Sequence, residues 1–309
     1  MSEARAAGRL ARALDSDLFY SFRRSPVAVF SAAMALLLVL GAVLAPLIAP
    51  HDPFDLVSLN LMDSLLPPAF LDGGEWTFPL GTDNQGRDML SGIMYGARIS
   101  LTVGVSAVLF AVIVGTVLGL LAGYAGEAID ALLMRIADVQ LTFPAILIAL
   151  LVDGVIRAAV PRDVHEQIEV YVLIFAIGIS RWPQFARTVR GSTLVERNKD
   201  YVMAARVIGL SSVRIMLSHI LPNVIGPVLV IFTLTLGLAI LDEATLSFLG
   251  VGLPPTQPSL GTLIRIGNDF LFSGEWWVTI FPGLALVAMV LSINLLGDWL
   301  RDALNPRLR

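Results

Sequence analysis

Residues 99–126 read ISLTVGVSAVLFAVIVGTVLGLLAGYAG, a run of 28 residues without a charged side chain. A helix needs about 20 apolar residues to cross a hydrocarbon core of roughly 30 Å. This run is therefore long enough to cross a membrane. Three further charge-free runs, 27–49, 220–241 and 276–297, are also long enough.

Two shorter apolar runs, 139–152 and 170–180, complete the pattern. The first can extend over 136–156 if the aspartates near its ends lie at the two interfaces. The second can continue through Phe185 if the intervening arginine faces protein or a wet cavity. Because irregular backbone cannot face lipid, we predict an all-α membrane protein with six transmembrane helices.

The overall composition favours the same class of protein. The 309 residues are 56% apolar and 15% charged, with a mean hydropathy of +0.78, whereas soluble domains have about 45–50% apolar and 25% charged residues. A net charge of −4 argues against a nucleic-acid partner. The chain has no cysteine and only three scattered histidines, so we predict no metal site.

The distribution of basic residues predicts the orientation. With six spans, 16 arginines and lysines lie on the side of the two termini and 5 lie on the other side. Under the positive-inside rule both termini are then cytoplasmic. The predicted segments are a cytoplasmic N-terminal segment (1–25), a first transmembrane helix (26–49), an extracytoplasmic loop (50–98), a transmembrane domain of five helices (99–298) that includes a cytoplasmic loop (187–223), and a cytoplasmic tail (299–309).

Three glycines at intervals of four residues, Gly115, Gly119 and Gly123, lie within the opening stretch. In a membrane, small residues at this spacing allow a second helix to approach closely. We therefore predict a helix-packing surface, either within this chain or against a partner. An ordinary membrane-helix glycine content is the alternative.

Motifs for catalysis or nucleotide binding are missing from the sequence. The single lysine, Lys199, lacks the glycines of a phosphate-binding loop. No Gly-x-Ser-x-Gly motif occurs. We predict that the chain is not an enzyme and binds no ATP itself.

The cytoplasmic loop 187–223 is basic and reads as two short helices hinged at Gly209. Asp200 is in position to cap the first helix, which has Ala204 and Ala205 on one face. The second helix is predicted to stop near Pro222, where the fifth span begins. Two interpretations fit: a docking site for a cytoplasmic partner, or a lipid-surface helix held by its arginines.

These residues resemble the signature loop of ABC-importer permeases, Glu-Ala-Ala…Gly…Ile-x-Leu-Pro. Four other stretches, 81–88, 96–101, 246–250 and 295–302, look like the C-type permease subunit of dipeptide and oligopeptide importers. The match covers nearly the whole chain from about residue 20. Met203 occupies the position of the family's glutamate, so we expect a more apolar docking surface here.

The resemblance implies a type I ABC-importer permease in the bacterial inner membrane, with residues 99–298 as its permease domain. It also implies four partners: a homologous second permease, two ATPase subunits that bind ATP and Mg²⁺, and an extracytoplasmic substrate-binding protein. No cofactor is expected on this chain. The resemblance leaves the substrate open among dipeptides, longer peptides, nickel and glutathione, and the substrate-binding residues unknown. The residues that it assigns to ATPase coupling are Asp200, Tyr201, Met203, Ala204, Ala205, Gly209 and Pro222.

Asp242 and Glu243 lie at the predicted outer end of the fifth span. We predict that they form part of an extracytoplasmic mouth and contact the binding protein or a substrate amine, with interfacial capping as the alternative. The main functional alternative for the whole chain is a stand-alone secondary transporter or channel. Such proteins usually carry ionisable residues in mid-span, and four of the predicted spans have none.

Overall fold

The computed structural model describes residues 17–55, 59–161, 165–254 and 256–304, which form helices and loops without a β-strand. Twelve α-helices occur in these ranges, and one π-helical turn, Met216–Ile220, joins two of them. The helices are α1 (Asp17–Arg24), α2 (Pro26–Val43), α3 (Ala45–Ile48), α4 (Met89–Ala125), α5 (Glu127–Leu141), α6 (Ala145–Ala159), α7 (His165–Glu196), α8 (Asp200–Val207), α9 (Ser212–Ile215), α10 (Leu221–Phe248), α11 (Leu260–Asn268) and α12 (Trp277–Leu304).

Four helical segments of the described chain are long and apolar enough to cross a membrane. They are Pro26–Val43, Met89–Ala125, Ser212–Phe248 and Trp277–Ala303. Three of them contain a charge-free run almost entirely, whereas the predicted first span, 26–49, is helical only to Val43 and continues after a break as α3. The charge-free runs predicted these helices because an apolar run of about 20 residues has the length needed to cross a membrane as a helix. The helices extend beyond several of the runs, since polar residues at a span's ends also fit a helix.

The predicted third span, 136–156, is not one straight helix. Helices α5 and α6 meet the criteria for a span only as a pair, and they are bent by 94° at the break between them. Pro144 lies at this break as the N-cap of α6, and a proline disfavours helical geometry in the residue before it. Hydropathy does not report such a bend, because both arms of the pair are apolar.

The predicted fourth span lies within α7, which has 32 residues and contains Pro183. Among the described residues, α7 is not one of the helices that are apolar enough to cross a membrane. Helix α7 packs along α4, and the three glycines of α4 face it. A Cβ added to Gly115 would lie 2.5 Å from the Phe185 Cβ, and one added to Gly119 would lie 2.6 Å from the Ala186 carbonyl oxygen. The close neighbour of these glycines is therefore a helix of the same chain.

Helices extend into both ends of the loop predicted for residues 187–223. Helix α7 continues to Glu196, so the connection between α7 and α8 starts at Arg197. On the other side the helix does not stop at Pro222, because Ser212–Phe248 runs through as one continuous rod. The Leu221 N–H donates to the Met216 carbonyl five residues back, which forms the π-helical turn just before Pro222. Such local widening is one way in which a membrane helix accommodates a proline.

Candidate coupling surface

Helix α8 turns one side toward the rest of the protein and the other side away from it. Val202 and Ala205 are buried in the main hydrophobic core, together with Ile215 and Ile220. The opposite side carries a group of exposed residues, which we call the coupling surface: Met203, Ala204, Val207 and Ile208.

Two of these residues have large apolar side chains that are unusually exposed. Val207 is 86% exposed and Ile208 is 73% exposed, next to Met203 at 49%. The prediction that Ala204 and Ala205 share the exposed face is wrong for Ala205, which is 3% exposed. Adjacent residues on a helix point about 100° apart, so packing of one alanine leaves the other free.

The ends of α8 are fixed by its backbone. Gly209 has a φ of +79°, and its N–H donates to the Arg206 carbonyl while the Leu210 N–H donates to the Ala205 carbonyl. This pair of bonds is a Schellman motif, which requires the left-handed conformation that glycine adopts most easily. At the other end Lys199, not Asp200, is the N-cap, and its side chain makes no capping bond. Asp200 is instead the first residue of the helix, where its negative charge interacts favourably with the helix dipole.

Three helices meet in one hydrogen-bonded cluster beside the coupling surface. The Tyr201 hydroxyl donates to a Glu196 carboxylate oxygen (2.6 Å), and the Lys199 ammonium donates to the other oxygen (2.6 Å). The Asn223 amide donates to the Tyr201 hydroxyl (3.1 Å) and to the His219 carbonyl (2.8 Å). The cluster thereby connects the end of α7, the first turn of α8 and the start of α10.

The charge states of this cluster follow from its surroundings. Burial and the hydrogen bond to the Glu196 carboxylate raise the pKa of Tyr201 to about 12. Burial also works to raise the pKa of Glu196, but the hydrogen bonds from Lys199 and Tyr201 outweigh it and hold that pKa below its ordinary value. Near neutral pH, Tyr201 is therefore a protonated donor to an ionised carboxylate, which is a strong form of hydrogen bond.

Tyr201→Phe is expected to weaken the connection between α8 and the neighbouring helices by about 1–2 kcal/mol, allowing for the partial exposure of Tyr201. For the ATP-driven importer that the sequence resemblance implies, the measurable result is a lower amount of substrate transported per ATP hydrolysed. Tyr171→Phe is the matched control, since Tyr171 is exposed on α7 and has no hydrogen-bond partner among the described residues. Equal coupling ratios in the two variants would contradict a role for the cluster.

The pH range of this interaction can also be stated. Because the pKa of Glu196 is lowered from 4.5, its contribution is complete above about pH 4.5 and is lost as the pH falls through the lowered value. Because the pKa of Tyr201 is raised from 10.0, its contribution is complete below pH 10.0 and is lost as the pH rises through about 12. We expect the difference between wild type and Tyr201→Phe to stay constant between these limits.

A second set of contacts connects the loop to α4. The Arg206 guanidinium lies over the Tyr124 ring, 5.0 Å from its centroid, and the Arg197 guanidinium donates to the Gly123 carbonyl (2.8 Å). Sequence reasoning missed Glu196, Tyr124 and Asn223 as parts of this site. A partial signal was available for Asn223, which follows the Leu-Pro of the quoted motif; Glu196 and Tyr124 are brought in by the tertiary fold.

Asp242 and Glu243 have different surroundings and different hydrogen-bond partners in the structure. Arg181 binds the Asp242 carboxylate, with 3.0 Å between its Nε and Asp242 Oδ2. Glu243 is fully buried and accepts hydrogen bonds from the Ser100 hydroxyl (2.6 Å) and the Ser247 hydroxyl (2.8 Å). Glu243 is therefore not open to a binding protein as predicted, because adjacent positions on α10 face different neighbours.

Apolar helices long enough to cross a membrane, packed around α4 and α7, define a helical membrane protein that exposes the apolar residues of α8. The fold is similar to that of a chain in an inward-facing structure of the MetNI methionine ABC transporter. The match has a TM-score of 0.56 at 20% identity and covers 70% of this chain and 98% of that chain. At this identity the similarity establishes the fold: a type I ABC-importer permease.

The sequence relationship is more specific. Residues 115–309 match the family of binding-protein-dependent transport system inner membrane components, and residues 16–68 match the N-terminal transmembrane domain of oligopeptide transport permease C. The chain belongs to this family of importer permeases and is a transport protein of the membrane, not an enzyme.

Relatives of the chain match it over most of their length. The di/tripeptide transport system permease DppC of Pseudomonas aeruginosa is 39% identical, covering 95% of this chain and 92% of the relative. The dipeptide permease DppC of Escherichia coli is also 39% identical, at 95% and 93%. A putative peptide transport system permease of Brucella suis is 42% identical, at 89% and 86%.

Proposed function

We propose that this chain forms half of the translocation path of an ATP-driven importer for dipeptides and short oligopeptides. A homologous permease supplies the other half, and an extracytoplasmic binding protein delivers the peptide. The observation that carries the proposal is identity of 39–42% to peptide permeases over 89–95% of the chain. The family membership supports partners of these kinds.

Two ATPase subunits drive the transport in this proposal, one on each permease, and they hold the ATP and Mg²⁺. The ATPase contacts this chain at the coupling surface, where the exposed Val207 and Ile208 suit an apolar pocket. Met203 replaces a charged contact with an apolar one. Movement of α8 then reaches α7 and α10 through the Tyr201 cluster and switches the path between its two openings.

The orientation in the membrane is part of the same proposal. The coupling surface has to face the cytoplasm to meet an ATPase, and the excess of 16 basic residues over 5 on the side of the termini supports this orientation. Both termini are then cytoplasmic in the bacterial inner membrane. The loop that precedes α4 and the loop between α10 and α11 face the binding protein.

The test is purification of the tagged chain from mild-detergent membranes, followed by uptake in proteoliposomes. We expect a second permease and ATPase subunits to be recovered with it. We also expect ATP-dependent uptake of labelled dialanine when the binding protein is added, and none with ATPase subunits that cannot hydrolyse ATP. Recovery of the chain alone with transport in the absence of ATP would contradict the proposal.

A further inference from the structure

A chamber of about 620 Å³ opens at the end of α4 that is extracytoplasmic under the proposed orientation. Its volume falls within the range of about 300–1,000 Å³ that is common for small-molecule sites. Its lining combines two loops with one face of α4 and the start of α7. We call this space the outer chamber. Its lining includes Phe54, Tyr95, Arg98, Thr102, Thr256 and Gln257.

Arg98 is the charged residue of the outer chamber lining. It lies in the third turn of α4, within a helix that is long and apolar enough to span a membrane. Its guanidinium has no ion pair or hydrogen bond with any described residue. This position is near the outer end of α4, and its side chain is exposed, so it is open to a solute that enters the path from outside.

Five other arginines of the described structure form ion pairs with acids: Arg87, Arg157, Arg181, Arg187 and Arg190. Arg157 contacts Asp153 (2.7 Å) and Glu169 (2.6 Å), and Arg181 binds Asp242. No aspartate or glutamate is among the described residues that line the outer chamber. The free guanidinium of Arg98 is therefore suited to an anion that comes from outside this chain.

The neighbours of Arg98 favour a carboxylate. A guanidinium forms two parallel hydrogen bonds to a carboxylate. The Tyr95 hydroxyl and the Gln257 side-chain amide have no hydrogen-bond partner among the described residues and lie in the same lining, so they can donate to the same ligand. Phe54 stacks edge-on against Tyr95 at 5.1 Å between ring centroids, which leaves an apolar wall for side chains of varied shape.

We propose that the outer chamber receives the C-terminal carboxylate of the transported peptide and that Arg98 binds it. This inference rests on the proposed function. Every linear peptide with a free C-terminus carries this group whatever its side chains are. A site that binds the carboxylate therefore accepts many peptides. One translocation path has to do so for all the peptides that the binding protein releases into it.

The test uses the full transporter in proteoliposomes, with binding protein and labelled dialanine as the probe. Arg98→Gln is expected to lower uptake about tenfold or more, because a charge-assisted pair is lost. Arg98→Lys should restore a measurable part of the uptake. ATP hydrolysis stimulated by the loaded binding protein should stay close to wild type in both variants.

The control is Arg135→Gln, which removes an exposed arginine from α5, outside the chamber, and should leave uptake unchanged. Unchanged uptake in Arg98→Gln overturns the inference and leaves the proposed function in place. Loss of the second permease during purification of Arg98→Gln also overturns it, since Arg98 then pairs with that subunit. Absence of dialanine uptake by the wild type overturns the proposed function and this inference together.

Discussion

Replacing Val207 and Ile208 together by glutamate is expected to release the ATPase from this chain and to reduce ATP-driven uptake to background. Both side chains are more than 70% exposed in the described structure and lie on the coupling surface. An apolar anchor at the centre of an interface contributes about 2 kcal/mol or more, and a buried unpaired carboxylate adds a further penalty. Two such changes should lower the affinity by a factor of about 1,000.

The measurement is the amount of ATPase that is recovered with the tagged chain, together with uptake by the same preparation. Val195→Glu is the matched control, because it puts the same charge on an apolar residue of α7 that is 63% exposed. That variant should keep both the ATPase and the uptake. Retention of ATPase and normal uptake in the double variant would refute the coupling surface as the docking site.

The sequence predicts four of its six spans well because apolar length is a local property; of the other two, one is a bent pair of helices and one lies in α7, which is not among the helices apolar enough to span in the described residues. Residues 99–126 have to form a buried or lipid-facing helix wherever the chain places them. The spacing of Gly115, Gly119 and Gly123 similarly indicated close packing. It did not indicate that α7 of the same chain is the partner, because that depends on tertiary contacts.

The errors occur where a neighbouring helix decides the outcome. Ala204 and Ala205 are identical in chemistry, and only packing against the core buries the second of them. Pro222 is a helix breaker by local rules, yet the π-helical turn before it lets the rod continue. Glu243 is polar and was expected at a wet mouth, whereas two serine hydroxyls satisfy it inside the protein.

Arg98 of the outer chamber is a candidate site residue that the sequence did not indicate. Arg98 is one of 21 basic residues in the sequence, and the sequence does not show which of these residues has an acid partner. The fold supplies Asp242 to Arg181 and an open chamber to Arg98. Candidate ligand sites of this kind therefore need coordinates.

The double substitution Gly115→Ala/Gly119→Ala is expected to prevent stable folding of the chain. An added Cβ at Gly115 would lie 2.7 Å from the Trp182 carbonyl oxygen, and one at Gly119 would lie 2.6 Å from the Ala186 carbonyl oxygen. Backbone atoms of a packed helix cannot rotate away, so α4 and α7 have to separate along their length. Overpacking of this kind costs about 1–3 kcal/mol per site, which exceeds the gain of about 0.5–1 kcal/mol from replacing a helical glycine.

The matched control is expected to change the melting temperature in the opposite direction. Gly154 on α6 and Gly191 on α7 have no atom within 4 Å of an added Cβ, so Gly154→Ala/Gly191→Ala should raise the melting temperature through helix propensity alone. Thermal unfolding of the detergent-purified chain compares the two double variants directly. If Gly115→Ala/Gly119→Ala melted at or above the wild-type temperature, α4 and α7 would not be packed as closely as the structure has them. The proposed movement of α8 would then reach the other helices through the Tyr201 cluster and α10, because the contacts of Arg206 and Arg197 with the end of α4 depend on the same packing.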